Sequence, residues 1–222
     1  VTRRLPALAG LLAVAVVCAA CSGTGGSPAA SGCPTSAPTA GQAAQILAHA
    51  GSAVVKTNKG TFVITLYTGA APIAAANFVA LADCGFYNGI DFHRVLPGFV
   101  AQAGDPQTKT NRSDFAQLGT GGPGYGFAIE PPADNLNYDQ YVVAMANTGQ
   151  PNSNGSQFFI DLADLNGQLA RSYTIFGKVV SGTDVVDAIG QVPTNGQRGV
   201  PLDPVIISSI TIQAGDGTPA AS

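Results

Sequence analysis

Phe92-His93-Arg94-Val95-Leu96-Pro97-Gly98-Phe99-Val100-Ala101-Gln102-Ala103-Gly104-Asp105 is the stretch from which the rest of the chain can be read. Pro97-Gly98 is a turn dipeptide, so the stretch is expected to form two short strands joined there. In an extended strand, successive side chains of Phe99, Val100, Ala101 and Gln102 face opposite ways. One side offers a guanidinium, Arg94, and an amide, Gln102. Beside them stand an aromatic ring, Phe99, and a branched aliphatic, Val100. A permanently charged donor fork next to an apolar surface suits a ligand with a carbonyl beside a hydrophobic ring.

Strand signals extend on both sides of this stretch. Ala53–Thr57 and Thr61–Tyr67 are β-rich runs around Asn58-Lys59-Gly60, a hairpin signal. Further runs lie at Tyr141–Met145, Gln157–Asp161, Tyr173–Val180 and Val205–Ile212. Pro72 opens a helical stretch with Ile73, Ala76, Asn77, Phe78, Ala80 and Leu81 on a mostly apolar face, and Cys84-Gly85 closes it. Asp184–Ile189 is expected as a second short helix, between Gly182-Thr183 and Gly190. With 28 glycines, 15 prolines and only 10% charged residues, the 222-residue chain favours short strands and turns. It is long enough for one sizeable core. Short strands with two helices argue an antiparallel sheet closed on itself, since closure removes exposed edges. A net charge of −3 gives no electrostatic reason to expect nucleic acid as a partner.

The opening stretch resembles the FHR-x-x-P-G-F-x-x-Q-x-G-D signature of the cyclophilins, the proline-isomerase family. Ala144-Met145-Ala146-Asn147 resembles that family's M-A-N segment. Asn154-Gly155-Ser156-Gln157-Phe158-Phe159-Ile160 resembles its N-G-S-Q-F-F-I, and Phe176-Gly177-Lys178-Val179-Val180 its F-G-K-V. The likeness runs from about Ala53 to about Gln213, with the pieces in the same order. It implies a mainly β fold: a closed eight-stranded antiparallel barrel capped by two α-helices. It also implies a peptidyl-prolyl cis-trans isomerase, an enzyme that needs no nucleophile, metal or cofactor. By resemblance the catalytic set is Arg94, Phe99 and Gln102. Val100, Phe159, Leu169 and Tyr173 would join Phe99 around the proline ring. Ala146 and Asn147 would meet the residues before proline, and Gln157 would line the adjoining groove.

The chain departs from the family at three of these positions. Val100 stands where many members have Met, Tyr173 where many eukaryotic members have His, and Gln168 where Trp is frequent. The last change implies weak binding of the cyclic peptide cyclosporin, because an indole N–H and a large contact surface are missing. A non-catalytic peptide-binding module using the same groove is the rival class; the complete Arg94/Phe99/Gln102 set favours the enzyme. A structural lipoprotein, a third class, would make the groove incidental.

Other motifs invite functional readings and do not support them. Gly119-Thr120-Gly121-Gly122-Pro123-Gly124-Tyr125-Gly126 lacks the Gly-Lys-Ser/Thr ending of a phosphate loop. His93 has no second histidine in the domain and no Cys/His spacing to support zinc, so it is expected as a structural strand residue. Arg94 would otherwise be expected in a surface ion pair with Asp91 or Asp105. Phe158 and Phe159 adjoin on one strand, so one should enter the core and the other face a ligand.

The N-terminus follows a different logic. Arg3 and Arg4 precede an apolar run, Leu5–Ala20, too short for a membrane span and suited to a signal peptide. Ala19-Ala20-Cys21 resembles the bacterial lipobox, in which the cysteine is lipidated; Cys18 departs from the Leu usual there. The expected organisation is a signal peptide over 1–20, a flexible tether over 21–52 with a short helix at Gln42–His49, the isomerase domain over 53–214 and a disordered tail over 215–222. The protein would be exported and held by lipid at the outer face of a membrane, with plain secretion as the alternative. Its partners would be proline-containing peptides and unfolded exported proteins. With Cys18 cleaved away and Cys21 lipidated, Cys33 and Cys84 remain, and in an oxidising compartment an intramolecular disulfide is expected. The rival is a buried free thiol at Cys84.

Overall fold

The structure, a computed structural model, describes residues 1–2, 32–114, 116–196 and 198–215. The expected signal peptide beyond residue 2, Cys21, the first part of the tether and all but the first residue of the tail lie outside the described residues.

The chain runs α1 (Ala40–Leu47), β1 (Ser52–Thr57), β2 (Gly60–Leu66), α2 (Pro72–Asp83), β3 (Arg94–Leu96), β4 (Val100–Ala103), β5 (Val142–Met145), β6 (Phe158–Asp161), β7 (Ile175–Ser181), α3 (Thr183–Gly190) and β8 (Ile207–Gln213), with a single 3₁₀ turn at Pro106–Lys109. Eight antiparallel strands form one curled sheet in the order β3-β4-β6-β5-β7-β2-β1-β8. The β1–β2 hairpin closes where Thr57 faces Gly60. There the Thr57 hydroxyl accepts from Lys59 N at 3.0 Å and donates to Gly60 O at 2.9 Å.

The strands alternate cleanly. Ala101, Ala103, Val143, Met145, Phe158 and Ile160 point inside the curl, into the main core. Their neighbours Val100, Val142, Ala144 and Phe159 point outward, into a second apolar cluster roofed by Tyr138, Leu165 and the residues before β7. Phe158 and Phe159 therefore divide as expected, Phe158 inward and Phe159 outward. Inside, Phe78 of α2 packs on Tyr87, Phe158 and Phe176 with ring centroids 5.2, 5.6 and 5.1 Å away.

The structure departs from full closure. β3 and β8 stand at the two ends of the strand order. The segment before β3 is stitched to the segment entering β8 by a single bridge, Asp91 to Ile206. Around it Gly89 N donates to Ile207 O, Ile207 N to Ile90 O and Phe92 N to Val205 O, each at 2.8 Å. Pro201 and Pro204 sit just upstream of β8; proline has no N–H to give, so a regular ladder cannot extend there.

Three α-helices are present among the described residues: the two expected caps, and α1 where a short helix was expected at Gln42–His49. α1 belongs to the packed domain, although 21–52 was expected as a tether. Thr39 and Gln42 form a reciprocal capping box at its start. Ala43 is fully buried, and Ile46 and Leu47 pack against the core. A disulfide joins Cys33 to Cys84, with Cα atoms 5.2 Å apart, and fastens the approach to α1 onto the end of α2. Apolar burial and a covalent link therefore hold a segment whose small-residue composition reads as loose chain. Among the described residues no helix is long and apolar enough to cross a membrane.

α2 ends as its sequence directs. Gly85 takes φ 75°, and Gly85 N and Phe86 N bond back to Ala82 O and Leu81 O, both at 2.9 Å. Its start is unusual. Ala71 at the cap position supplies no side-chain acceptor, and Pro72 supplies no N–H. The missing acceptor comes from Glu130: its carboxylate takes Ile73 N at 3.0 Å and Ala74 N at 2.8 Å. A negative group there also meets the positive end of the helix dipole. Glu130 N in turn donates to the Thr174 hydroxyl just before β7 at 2.9 Å, so one residue ties α2 to the outer layer. Glu130→Ala should lower unfolding free energy by about 1–2 kcal/mol. Urea denaturation measures this, and an unchanged midpoint would show that the distant cap contributes nothing.

Candidate active site

The antiparallel register decides which side chains meet. Arg94 of β3 faces Gln102 of β4, Gln102 faces Phe159 of β6, and Phe159 faces Ala144 of β5. These residues form one row across four adjacent strands. Successive side chains alternate, so the row shares the outer face. Above it lies a cavity of about 380 Å³ lined by Arg94, Phe99, Val100, Gln102, Ala146, Asn147, Phe159, Leu169 and Tyr173. Gln157 lies outside this cavity; with Gln102 it lines the neighbouring and larger groove of about 590 Å³.

The apolar walls are fixed from behind. The Phe159 and Tyr173 rings meet edge to face, with centroids 5.4 Å apart. Tyr173 is itself clamped by the buried Tyr138: the Tyr138 hydroxyl donates to Tyr173 O at 2.9 Å and accepts from Tyr173 N at 3.1 Å. Leu169 N bonds to the carbonyl of the fully buried Leu165. Asn147 spends its side chain on structure, giving Nδ2 to Ser172 O and accepting Gly149 N. Gln168 is exposed, lies outside the cavity lining and turns its amide to Asp164 O at 3.3 Å.

The polar side is organised by a directional chain of hydrogen bonds. Gln157 Nε2 donates to Gly119 O at 2.9 Å and Gly121 O at 2.7 Å. Carbonyl oxygens only accept, so the Gln157 amide must turn its oxygen the other way. That oxygen takes Gln102 Nε2 at 2.9 Å. Gln102 Oε1 therefore faces Arg94, whose Nη1 stands 3.5 Å away, a long contact that leaves the guanidinium donors available. The Arg94 guanidinium carbon lies 6.0 Å from the Phe99 ring centre. The surface ion pair that Arg94 might otherwise make is pre-empted. Asp91 is held by both arms of Arg112. Asp105 receives Gln107 N at 2.8 Å, Gly119 N at 2.6 Å and Gly121 N at 3.3 Å.

The glycine-rich loop is thus a scaffold for the site rather than a phosphate cradle. A Cβ on Gly121 would fall 2.1 Å from the Asp105 carboxylate, so only glycine fits there. His93 is buried, and neither ring nitrogen has a hydrogen-bond partner among the described residues. Burial holds its pKa down to about 4; Asp105 and an approach of the Asp91 backbone too loose to count as a hydrogen bond pull it up, Arg94 pushes it down, and the imidazole is neutral near pH 7.

The scaffold residues Tyr138, Asp105 and Gly121 were not anticipated from the sequence. Each acts on a partner far along the chain, and none belongs to an alternating or helical pattern. Asp161 is a further surprise. It faces Val100 across the β4–β6 ladder, is fully buried, and has no partner for either carboxylate oxygen among the described residues.

Comparison with known proteins agrees with this geometry. Residues 52–212 match the family model described as cyclophilin type peptidyl-prolyl cis-trans isomerase/CLD. The chain belongs to the cyclophilin-type peptidyl-prolyl cis-trans isomerases, and its activity is that of this class. Peptidyl-prolyl cis-trans isomerase A of Mycobacterium tuberculosis is 42% identical over 179 residues, covering 72% of this chain and 91% of that protein. The peptidyl-prolyl cis-trans isomerase of Acinetobacter baylyi is 40% identical over 168 residues, covering 72% and 84%. The crystal structure of a cyclophilin-type isomerase from Cryptosporidium parvum superposes with a TM-score of 0.66 at 33% identity, covering 75% of this chain and 99% of that one. A second structure of it, determined in the presence of the dipeptide Ala-Pro, gives 0.65.

Burial raises the Asp161 carboxyl to about 8, and the nearby Asp139 and Asp164 push the same way. The folded chain therefore keeps a proton that the unfolded chain releases near pH 4. Stability contributed by the protonated acid is full below that pH and falls as pH rises toward 8, by up to about 1.4 kcal/mol per unit. Asp161→Asn should remove this dependence, raising Tm more at pH 8 than at pH 4. Equal shifts at both pH values in thermal melts would refute the protonated acid.

Proposed function

We propose that the enzyme turns the peptide bond before proline without any covalent step, by binding the twisted amide more tightly than either planar form. Resonance sets a barrier of about 18–20 kcal/mol to that rotation. Only interactions that strengthen in the transition state accelerate it. Lowering the barrier by about 7 kcal/mol corresponds to roughly 10⁵ in rate.

The observation that carries this reading is the row Arg94–Gln102–Phe159, which sets a cationic donor and an apolar floor side by side on one face. The proline ring lies among Phe99, Val100, Phe159, Leu169 and Tyr173, which hold it while the preceding carbonyl turns. As the amide twists, its nitrogen recovers a lone pair, and Arg94 donates to that region. Gln102 binds the carbonyl and steadies the guanidinium. Ala146 and the Asn147 backbone hold the residues before proline, and Gln157 lines the groove they follow. Substrates are proline-containing segments of unfolded proteins. Cyclosporin binds weakly, because Gln168 offers neither an indole nor a side chain directed at the cavity.

Arg94→Ala tests the mechanism. Loss of one transition-state donor costs about 10²–10³ in rate, so kcat/KM should fall by that much with the circular dichroism spectrum unchanged. Arg94→Lys should restore little, since a point charge lacks the planar fork. Near-normal activity in a folded Arg94→Ala protein would overturn the proposal.

The leader sequence supports a place of work outside the cytoplasm. Arg3, Arg4, the apolar run to Ala20 and Ala19-Ala20-Cys21 make the mature chain a lipoprotein anchored at Cys21, where it assists the folding of exported proteins. The Cys33–Cys84 bridge fits an oxidising compartment. Mass spectrometry of the native protein should find a lipid-modified cysteine at residue 21 as the first residue. A free N-terminus at any other position would rule this out.

A further inference from the structure

Apart from Asn77 and its last residue, Asp83, α2 is apolar along its whole length. Asparagine is a weak helix former. Asn77 is also fully buried, and a buried amide costs free energy unless both of its ends find partners. Both ends do. The Gly155 carbonyl can only accept, so it faces the amide nitrogen, and Nδ2 donates to it at 2.8 Å. Oδ1 then accepts the Tyr125 hydroxyl, also at 2.8 Å.

The two partners belong to different segments. Tyr125 lies in the glycine-rich loop, and Gly155 in the segment that leads into β6. Both segments line the groove of about 590 Å³ beside the proline pocket. They lie against each other: Phe127 N donates to Asn154 O at 2.9 Å, and a Cβ on Gly155 would fall 3.2 Å from Pro123 Cδ. Asn77 fastens both of them to a helix of the core. Just past that helix the buried Tyr87 gives its hydroxyl to Ser156 O at 3.1 Å, and the Ser156 hydroxyl donates to Gly104 O at 2.7 Å. No charged side chain is present among the described residues that line the groove. What it accepts is therefore set by shape and by hydrogen bonds, and both require the two segments to stay in place.

Given the isomerase reading of the adjoining pocket, we propose that Asn77 is a positioning residue for that reaction: by holding Tyr125 and Gly155 together from inside the core, it shapes the groove that receives the residues before proline. It decides how much a substrate gains from those residues. The proline pocket itself is built by other elements, with Phe159 on β6 and Tyr173 clamped by Tyr138. Loss of the Asn77 amide should therefore weaken the grip on the upstream chain and leave the turning of the bond unchanged.

The test compares three capped peptides: Ala-Pro-Ala, Ala-Ala-Ala-Pro-Ala and Ala-Pro-Ala-Ala-Ala. Kd is measured by titration, and kcat and KM by NMR exchange. The parent chain should bind the upstream extension more tightly than the short peptide. Asn77→Leu keeps a similar volume and removes both hydrogen bonds. It should weaken binding of Ala-Ala-Ala-Pro-Ala about two- to tenfold, the range one hydrogen bond supplies. Kd for the other two peptides, and kcat on all three, should stay within twofold, with the circular dichroism spectrum unchanged. Tyr125→Phe removes a single hydroxyl and should produce the same selective loss, while adding nothing in the Asn77→Leu background. If Asn77→Leu does not fold, Tyr125→Phe decides alone, and an unchanged Kd for the upstream extension overturns the proposal. Equal losses on all three peptides would also overturn it, since a merely structural residue gives that pattern. So would a parent chain that gains nothing from the upstream extension. Absence of exchange on every peptide would overturn the isomerase mechanism instead, and the Kd series would still decide the role of Asn77.

Discussion

Strand register is the constraint on which the rest depends. Arg94, Gln102, Phe159 and Ala144 meet because β3, β4, β6 and β5 pair at those residues. A slip of one position would turn the whole row over, burying a guanidinium and exposing a phenyl ring. The interior prevents such a slip. Ala101, Ala103, Phe158 and Ile160 occupy the inward positions of the same strands and are fully buried. The packing of Phe158 against Phe78 and Phe92 leaves one acceptable register. The apolar core thus positions a polar site that it never touches.

On the outer face, precision comes from hydrogen-bond direction. An amide side chain presents a donor end and an acceptor end, and nothing in its shape alone selects between them. Here the choice is made at the glycine-rich loop. Carbonyl oxygens of Gly119 and Gly121 orient Gln157, which orients Gln102, which presents its oxygen to Arg94. Asp105 holds the N–H groups of the same two glycines. A carboxylate is therefore used to fix a loop, and the nearest cation keeps its donors for something else.

Much of this was legible in the sequence because it is local. Pro97-Gly98 marks a turn, and the two-residue strand repeat sends Phe158 and Phe159 to opposite faces. Pro72 and Gly85 bracket α2, and the linear motifs place Arg94, Phe99, Gln102 and Phe159. What stayed hidden acts across long separations. Glu130 caps a helix 57 residues away, and Tyr138 clamps backbone 35 residues away. No periodicity announces either partnership. The buried Asp161 was missed for another reason: a carboxylate on a strand is ordinarily assigned to solvent, and only the roof over β6 changes that. The short helix expected at Gln42–His49 is there as α1, but its packing into the domain was not legible, because alanine-rich chain reads as loose until its burial is seen. Closure of the sheet was overstated because strand signals do not reveal where prolines interrupt a ladder.

The Cys33–Cys84 bridge also determines how the domain bears mechanical load. β1 and β8 are antiparallel neighbours, with Ser52 opposite Gln213, so the chain enters and leaves the sheet at the same place. Pulling those ends apart would peel the pair one hydrogen bond at a time, the weakest way to load a sheet. With the bridge in place, tension on the chain ahead of Cys33 bypasses β1 and enters at Cys84, where α2 is wedged against the aromatic interior. The force is then shared across a buried helix. Reduction of that single bond would return the load to the β1–β8 zipper, so the thiol state decides whether a tug on the N-terminus is absorbed or begins to open the fold.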